Sequence, residues 1–211
     1  MERITSNKAR EILGNRFIGT KELDIVSEKL GIISPSIGNI EIPEIPFSLS
    51  EIENLDHETF LVLFYPFQKV SDNKITINYF RNHFGIDPDI KEPCLYNQDW
   101  YINEEFANIC NCEMGWYILR SNVLDVSRAI SPEKNNLNKY PPSILLTYFF
   151  FANYILNNKI AYKFDFVWTS DIDCNKDQIY VGRYFDPKGV AKNGFSIHRH
   201  LSLTSNYASI V

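Results

Sequence analysis

Apolar residues recur at helical spacing in the first thirty residues and predict two short helices. The first covers Ser6 to Leu13 and ends at Gly14, and the second covers Thr20 to Leu30 and ends at Gly31. In the second helix the apolar side chains share one face, and charged side chains cover the opposite face. We therefore expect an N-terminal helical hairpin that packs on the rest of the protein.

A DNA-binding helix-turn-helix is the alternative interpretation of this hairpin. A recognition helix presents Arg, Lys, Asn or Gln side chains to base edges, whereas the exposed face of the second helix carries acidic and basic residues in balance. The whole chain has 21 Lys and Arg against 26 Asp and Glu, a net charge of −5. A mixed, acidic surface disfavours nucleic acid and anionic membranes as partners.

Proline content and hydrophobicity divide the remaining chain into two parts. Residues 31–47 contain three prolines and predict an extended strap, because proline disfavours helical backbone in itself and in the residue before it. Residues 48–211 are predicted to form one α+β domain. In it, Thr59 to Tyr65 predicts a fully buried strand, and Ile144 to Leu156 predicts the central helix of the core. The hairpin itself occupies residues 1–30.

The last fifty residues have the pattern of β-structure. Aromatic and polar residues alternate from Tyr162 to Thr169, which is the period-two pattern of a half-buried strand. Further strands are predicted at 178–185 and 195–201, with turn sequences at 186–189 and 193–194 between them. We therefore expect an α+β fold in which an antiparallel sheet, built mainly from these strands, packs on the central apolar helix.

The N-terminus, the apolar segments and the cysteines indicate the cellular compartment of the protein. The N-terminus has no signal-peptide pattern, and the most apolar segment is shorter than the ~20 residues that a membrane span needs. This pattern predicts a cytoplasmic protein with no membrane partner. The four cysteines, at positions 94, 110, 112 and 174, are then expected to be reduced thiols.

Three segments carry a resemblance to known families. GWYILR (115–120), PPSILLTYFFFANYIL (141–156) and FVWTSDIDCNKDQIYVGRYFDPKGV (166–190) follow one another in this order. This order resembles a family of bacterial proteins of uncharacterised function, from about Ile12 to the C-terminus, and that resemblance implies no mechanism.

The final strands also resemble the end of C-type-lectin-like domains, because a Trp-Thr-Ser strand precedes a strand with Val-Gly, a turn and a closing strand. That resemblance implies a lectin-like fold that recognises a protein or carbohydrate through loops. The sequence lacks the Trp-Asn-Asp calcium motif of sugar-binding lectins and the catalytic cysteine pair of the oxidase relatives, so neither activity is implied.

Residues 171–177 have the oxygen-ligand spacing of a calcium loop. A hard cation needs several oxygens that converge on one point, and alternate residues of a tight loop can supply them. The four side chains at this spacing are Asp171, Asp173, Asn175 and Asp177. The rest of the calcium-loop pattern is missing, since Lys176 replaces glycine and Gly182 stands where a bidentate glutamate belongs. The alternative is a hairpin turn in which these side chains bond their own backbone.

Two histidines near the C-terminus suggest a second kind of site. His198 and His200 flank Arg199 on a predicted strand, so that both imidazoles should point to one face about 7 Å apart. Together with Asp171 or Asp173 they could ligate a transition metal. This arrangement would suit a metal-dependent hydrolase or nuclease.

We expect a non-enzymatic binding protein of unknown ligand, which recognises its partner through the turns at 171–177, 186–189 and 193–200. Arg183, on the strand between these turns, is included among the binding residues. The metal-dependent hydrolase or nuclease is the alternative. No cofactor is predicted, and Ca²⁺ or a transition metal is the ion that these residues could hold. The other histidines, His57 and His83, are interpreted as loop and helix residues without partners.

Overall fold

Six α-helices and two small β-sheets make up the described part of the chain. The protein is seen here as a computed structural model, which describes residues 3–87, 89, 92–132, 138–184, 193–199 and 204–211. The helices are α1 (Ser6–Leu13), α2 (Thr20–Leu30), α3 (Leu49–Glu53), α4 (Ile77–Phe84), α5 (Glu105–Asn108) and α6 (Ser143–Asn157). The strands are β1 (Phe17–Ile18), β2 (Thr59–Phe64), β3 (Gly115–Arg120), β4 (Phe166–Ile172), β5 (Gln178–Tyr184), β6 (Gly194–His198) and β7 (Tyr207–Ala208).

The two N-terminal helices have the bounds that the sequence predicts. The Thr5 side chain accepts a hydrogen bond from the Lys8 backbone N–H and begins α1, and the left-handed Gly31 ends α2. Between the helices, β1 pairs in parallel with β2. The buried apolar residues of α1, β1 and α2 belong to one core cluster that extends from Ile4 to Ile210. The core therefore crosses the boundaries expected at residues 30 and 47.

The first sheet has the order β1-β2-β3, with β2 at its centre. All six residues of β2 are buried, which confirms the predicted buried strand. β3 pairs with it in antiparallel register from Thr59 opposite Arg120 to Phe64 opposite Gly115. The sequence pattern led us to expect one antiparallel sheet, whereas the chain forms two, and each contains a parallel pair.

Helix α6 is the predicted central helix, and it lies between the two sheets. Its residues are buried from Ser143 to Asn153. Phe149 contacts Phe60 of the first sheet with ring centroids 5.1 Å apart, and Phe150 contacts Phe195 of the second sheet at 4.6 Å. An apolar surface on all sides suits a helix that packs against a layer on each side. In the described part of the chain, no helix has both the length and the apolar character needed to cross a membrane.

The second sheet has the order β6-β5-β4-β7 and two faces of different character. The inner face packs in the main core with α6 through Val167, Val181 and Ile197. The outer face carries a separate aromatic cluster, made of Tyr140, Phe166, Trp168, Tyr180 and Tyr207. Side chains alternate between the two faces along each strand, with an irregularity in the β4–β5 register between Trp168 and Ile172.

The strand expected to begin at Tyr162 begins four residues later, at Phe166. Tyr162 and Phe164 have positive φ angles of 54° and 69°, which lie outside the extended region. Arg128 holds this bend with two hydrogen bonds to the Asp165 carboxylate, at 2.6 and 3.1 Å. Aromatic and polar residues do alternate here, but the contact between Arg128 and Asp165 holds the backbone before β4 in a bend instead of an extended strand.

Candidate functional site

Asp171 lies on the inner face of β4 and caps helix α6. Its Oδ2 accepts hydrogen bonds from the Ser143 backbone N–H at 2.7 Å and from the Ser143 hydroxyl, while its Oδ1 accepts one from the Asn111 amide. The residue before the helix is Pro142, which has no side-chain acceptor of its own, so β4 supplies the cap. Burial raises the pKa of Asp171, and the hydrogen bonds from Ser143 and Asn111 oppose that rise.

Asp173 organises the turn between β4 and β5. Its Oδ1 accepts hydrogen bonds from the backbone N–H groups of Asn175 at 2.8 Å and Asp177 at 2.9 Å. Burial acts to raise the pKa of Asp173, but hydrogen bonds from Asp177 and Arg199 outweigh it and hold that pKa below its ordinary value. Lys176 takes a positive φ of 67° within the turn. This is the self-bonded turn that the sequence offered as the alternative to a calcium loop.

Arg199 connects this turn to residues 100–104. Its Nη1 lies 2.5 Å from Asp173 Oδ2 and 3.7 Å from Glu104 Oε1, and its guanidinium lies over the Trp100 ring, 4.4 Å from the centroid. Glu104 also accepts a hydrogen bond from the Cys174 backbone N–H at 2.9 Å. These contacts pair the charges of Asp173, Arg199 and Glu104 within the protein.

His198 lies on the outer face of the second sheet, beside the aromatic cluster. It stands opposite Tyr180 in the register, and its ring lies 4.6 Å from that of Phe166 at nearly a right angle. His198 Nε2 lies 2.6 Å from the Ser196 hydroxyl. Burial lowers the pKa of His198 to about 4.

Two of the predicted metal ligands, Asp171 and His198, therefore lie on opposite faces of the second sheet. Asp171 bonds to α6 on the inner face, whereas His198 contacts aromatic rings on the outer face. His200 and the turn at 186–189 lie outside the described residues. Among the residues that are described, no three His, Cys, Asp or Glu side chains are grouped so that they could hold a metal ion.

Arg183 lies apart from the other predicted binding residues and helps to form a cleft. Its side chain is 6% exposed, and its Nη2 lies 2.6 Å from Glu92 Oε1. The cleft has a volume of about 650 Å³ and lies between the C-terminal ends of α2, α4 and α6. Its lining residues are Glu28, Lys29, His83, Phe84, Glu92, Pro93, Tyr154, Ile155 and Asn158.

Hydrogen bonds and packing fix several of the polar groups around this cleft. His83 Nε2 lies 2.8 Å from the Lys29 carbonyl oxygen, and since a carbonyl can only accept, this nitrogen carries a proton. His83 therefore has a partner, contrary to the interpretation from sequence. Its ring also stacks on Tyr79, with centroids 5.8 Å apart. Lys69 forms an ion pair with Glu28 and lowers the pKa of that carboxyl.

Burial acts on two other groups near the cleft. It raises the pKa of the Cys94 thiol to about 12, and the neighbouring Glu92 carboxylate adds to the effect. It also raises the pKa of the Tyr154 hydroxyl, again with a contribution from Glu92. Both groups therefore keep their protons at neutral pH, and they offer hydrogen-bond donors rather than nucleophilic anions.

Comparisons with known proteins give no family for the chain. No protein-family model matches the sequence, and neither a curated protein nor a solved structure matches it. The resemblances to a bacterial family and to C-type-lectin-like domains therefore stay interpretations of the sequence.

Sequence reasoning missed most of the cleft. Glu92 and Tyr154 come from segments that are far apart in the chain, and neither belongs to a motif with a known chemistry. Arg183 is one of the predicted binding residues, but the sequence places it on the strand between the C-terminal turns and gives no sign that it pairs with Glu92. The sequence pattern that could indicate the cleft is a charged residue beside apolar residues near a helix end, but most helices show this pattern.

Proposed function

We propose that this protein is a non-enzymatic binding protein and that it holds a small organic molecule in the cleft between α2, α4 and α6. The observation that carries the proposal is the cleft itself, with about 650 Å³ of space. Small-molecule sites in proteins are typically concave and occupy roughly 300 to 1,000 Å³. The cleft is therefore of the size that a ligand of drug-like dimensions requires.

The lining supports binding because it combines an apolar wall with a few oriented polar groups. Phe84, Pro93 and Ile155 provide apolar surface for the body of a ligand. The Glu92 carboxylate is held in place by the buried Arg183 guanidinium. Such an arrangement gives affinity through burial and specificity through a small number of fixed polar contacts.

The thiol beside the cleft is not suited to nucleophilic catalysis. Cys94, the thiol that lies beside Glu92, has a pKa of about 12, which keeps it protonated at neutral pH. Nucleophilic catalysis by cysteine requires the thiolate. We do not extend the proposal to a metal-dependent hydrolase, because Asp171 and His198 occupy opposite faces of the second sheet. Recognition through the C-terminal loops stays a prediction from sequence.

Filling the cleft tests this proposal. The neutral fluorescent probe N-phenyl-1-naphthylamine should bind the native protein saturably and with one-to-one stoichiometry. Ile155→Trp places a large ring in the cleft, so we expect it to weaken binding at least about tenfold. Ile25→Trp is the matched control, because Ile25 lies on α2 outside the lining and is 76% exposed.

Circular dichroism and a thermal melt of both variants establish that each one is folded. If the native protein gives no saturable signal, or if Ile155→Trp binds the probe as well as Ile25→Trp does, the cleft is not a binding site.

A further inference from the structure

We propose that a second cleft of the protein binds a phosphorylated, hydroxyl-rich small molecule such as a sugar phosphate. This polar cleft lies between the turn after α1, the segment before β2 and the C-terminal end of α6, and its volume is about 540 Å³. Asn158 lines both clefts, whereas the charged residues of the polar cleft belong to it alone, so the inference does not depend on the proposed function. Its basis is a fixed arginine without an ion pair, placed beside two lysines and several asparagine side chains.

The lining of the polar cleft carries an excess of positive charge. Arg16, Lys159 and Lys163 line it, and Glu58 is the carboxylate among the lining residues. Within the described residues, none of these three cations forms an ion pair. The protein as a whole has a net charge of −5, so a group of unpaired cations at one cavity is a local feature. Such a cavity attracts an anion.

Arg16 differs from the other arginines of the protein. Each of the others forms an ion pair with a carboxylate, and they are Arg3, Arg10, Arg81, Arg120, Arg128, Arg183 and Arg199. Arg16 instead donates from Nη1 to the carbonyl oxygens of Asp56 at 2.7 Å and Thr59 at 3.0 Å. These bonds hold the guanidinium in place, and its Nε and Nη2 donate to no acceptor in the part of the chain that the structure describes. A guanidinium held in this way can donate to two oxygens of a phosphate group.

Two carboxylates beside the polar cleft oppose this positive charge, and Arg120 pairs with both of them. Arg120 Nη2 lies 3.2 Å from Glu58 Oε2, and Arg120 Nη1 forms an ion pair with Asp56. The other oxygen of Glu58 accepts a hydrogen bond from the Asn122 amide at 2.7 Å. The three lining cations and Arg120 together exceed the two carboxylates by two charges. A phosphate monoester, which carries a charge of about −1.5 to −2 at neutral pH, matches this excess.

Amide and hydroxyl groups make up most of the remaining lining, and they belong to Asn15, Ser121, Asn122, Asn153 and Asn158. Asn153 is 1% exposed, and its Nδ2 donates to the Lys159 carbonyl oxygen at 3.0 Å. Asn153 Oδ1 accepts a hydrogen bond from the Asn157 amide at 2.8 Å. These bonds hold the backbone that carries Lys159 against the end of α6. Because amide groups both donate and accept hydrogen bonds, they suit the hydroxyl groups of a sugar.

Four probes separate the charge of the ligand from its body. Glucose 6-phosphate, glucose and glucosamine share one sugar ring and differ in charge, and phenyl phosphate carries the phosphate on an apolar body. Each probe is titrated into the native protein by isothermal titration calorimetry at low ionic strength. We expect glucose 6-phosphate to bind about tenfold or more tightly than each of the other three, because it alone matches both the charge and the polar lining. Added salt should weaken this binding by screening the exposed lysines.

Variants of the cations locate the site. Arg16→Gln should weaken binding of glucose 6-phosphate at least about tenfold. Since Arg16 also bonds to two backbone carbonyls, the double variant Lys159→Gln with Lys163→Gln provides a second test on two exposed side chains, with a loss of about three- to tenfold. Lys21→Gln is the matched control and should change nothing, because Lys21 is an exposed lysine on α2 outside the lining. Circular dichroism and a thermal melt establish that each variant is folded.

The outcomes separate this inference from the proposed function. Binding of glucose or glucosamine as tight as that of glucose 6-phosphate would overturn the preference for an anion, and equally tight binding of phenyl phosphate would exclude the hydroxyl-rich body. Absence of saturable binding of glucose 6-phosphate, or binding that the double lysine variant leaves unchanged, would remove the site from the polar cleft. Ile155→Trp fills the cleft of the proposed function and should leave binding of glucose 6-phosphate unchanged. Loss of that binding in Ile155→Trp would place the ligand in the other cleft and overturn the inference.

Discussion

Replacing His198 by asparagine removes a titratable group from the edge of the outer aromatic cluster. In the folded protein, burial lowers the pKa of His198 from 6.5 to about 4. In the unfolded chain the imidazole is solvated, and its pKa returns to the ordinary value. Between these two values the unfolded chain binds a proton that the folded protein does not bind.

The sign and the size of the effect follow from this difference. Stability rises with pH wherever the unfolded state binds more protons, so the contribution of His198 is fully present above pH 6.5 and is lost as the pH falls toward 4. The difference between the two pKa values corresponds to about 3 kcal/mol in the free energy of unfolding. Because His198 is partly exposed, this is an upper figure.

Urea denaturation at pH 7.5 and pH 4.5 measures this contribution. The carboxylates titrate alike in the native protein and in His198→Asn, so subtracting one pH dependence from the other isolates the imidazole. We expect the native protein to lose about 2 to 3 kcal/mol more than the variant on acidification. His57→Asn, at an exposed histidine, is the control for the loss of one imidazole. Identical pH dependence in the native protein and His198→Asn would show that burial does not lower the pKa of His198.

Three further predictions concern the second sheet and its turn. Asp171→Ala removes the cap of α6, and the buried donors of Ser143 and Asn111 lose their acceptor. We expect the free energy of unfolding, measured by urea denaturation, to fall by about 2 to 3 kcal/mol. A loss under about 0.5 kcal/mol would contradict the capping role. Gly182→Ala places a Cβ atom against the Asp165 carbonyl oxygen and should lower the free energy of unfolding by about 3 kcal/mol or more in the same assay. An unchanged free energy of unfolding would exclude this close approach. Ellman's reagent should modify the exposed Cys174 before the three other thiols. Because Glu104 raises the pKa of the Cys174 thiol, Cys174 should react faster in Glu104→Gln. An unchanged rate of Cys174 modification would argue against the contact between Glu104 and Cys174.

The sequence predicted the helices and strands whose caps and apolar faces are formed by neighbouring residues. α1 and α2 have the predicted bounds because their caps and apolar faces are written in adjacent residues. The run at 59–64 is buried and consists of β-branched, aromatic and leucine residues, and it could be recognised as a strand without its partners. β1 has only two residues, so it has no periodicity from which its parallel pairing with β2 could be predicted.

The candidate site depended on information that the sequence does not display locally. Alternation along β4 and β6 assigns each residue to a face, but the strand order is needed to learn that Asp171 and His198 face opposite ways. The bend before β4 depends on Arg128, which is far away in sequence. Likewise, the Glu92–Arg183 pair joins a loop to a strand across half the chain.

The order of the strands also bears on how quickly the chain acquires its structure. α2 and the proline-containing segment 31–47 lie between β1 and β2, and the isolated bridge of Leu95 with Phe195 joins residues from opposite halves of the chain. Loop closure must precede these pairings, so folding is expected to take milliseconds to seconds rather than microseconds. During that delay the apolar stretches of β2 and α6 are available to other chains, and refolding at high protein concentration should therefore compete with aggregation.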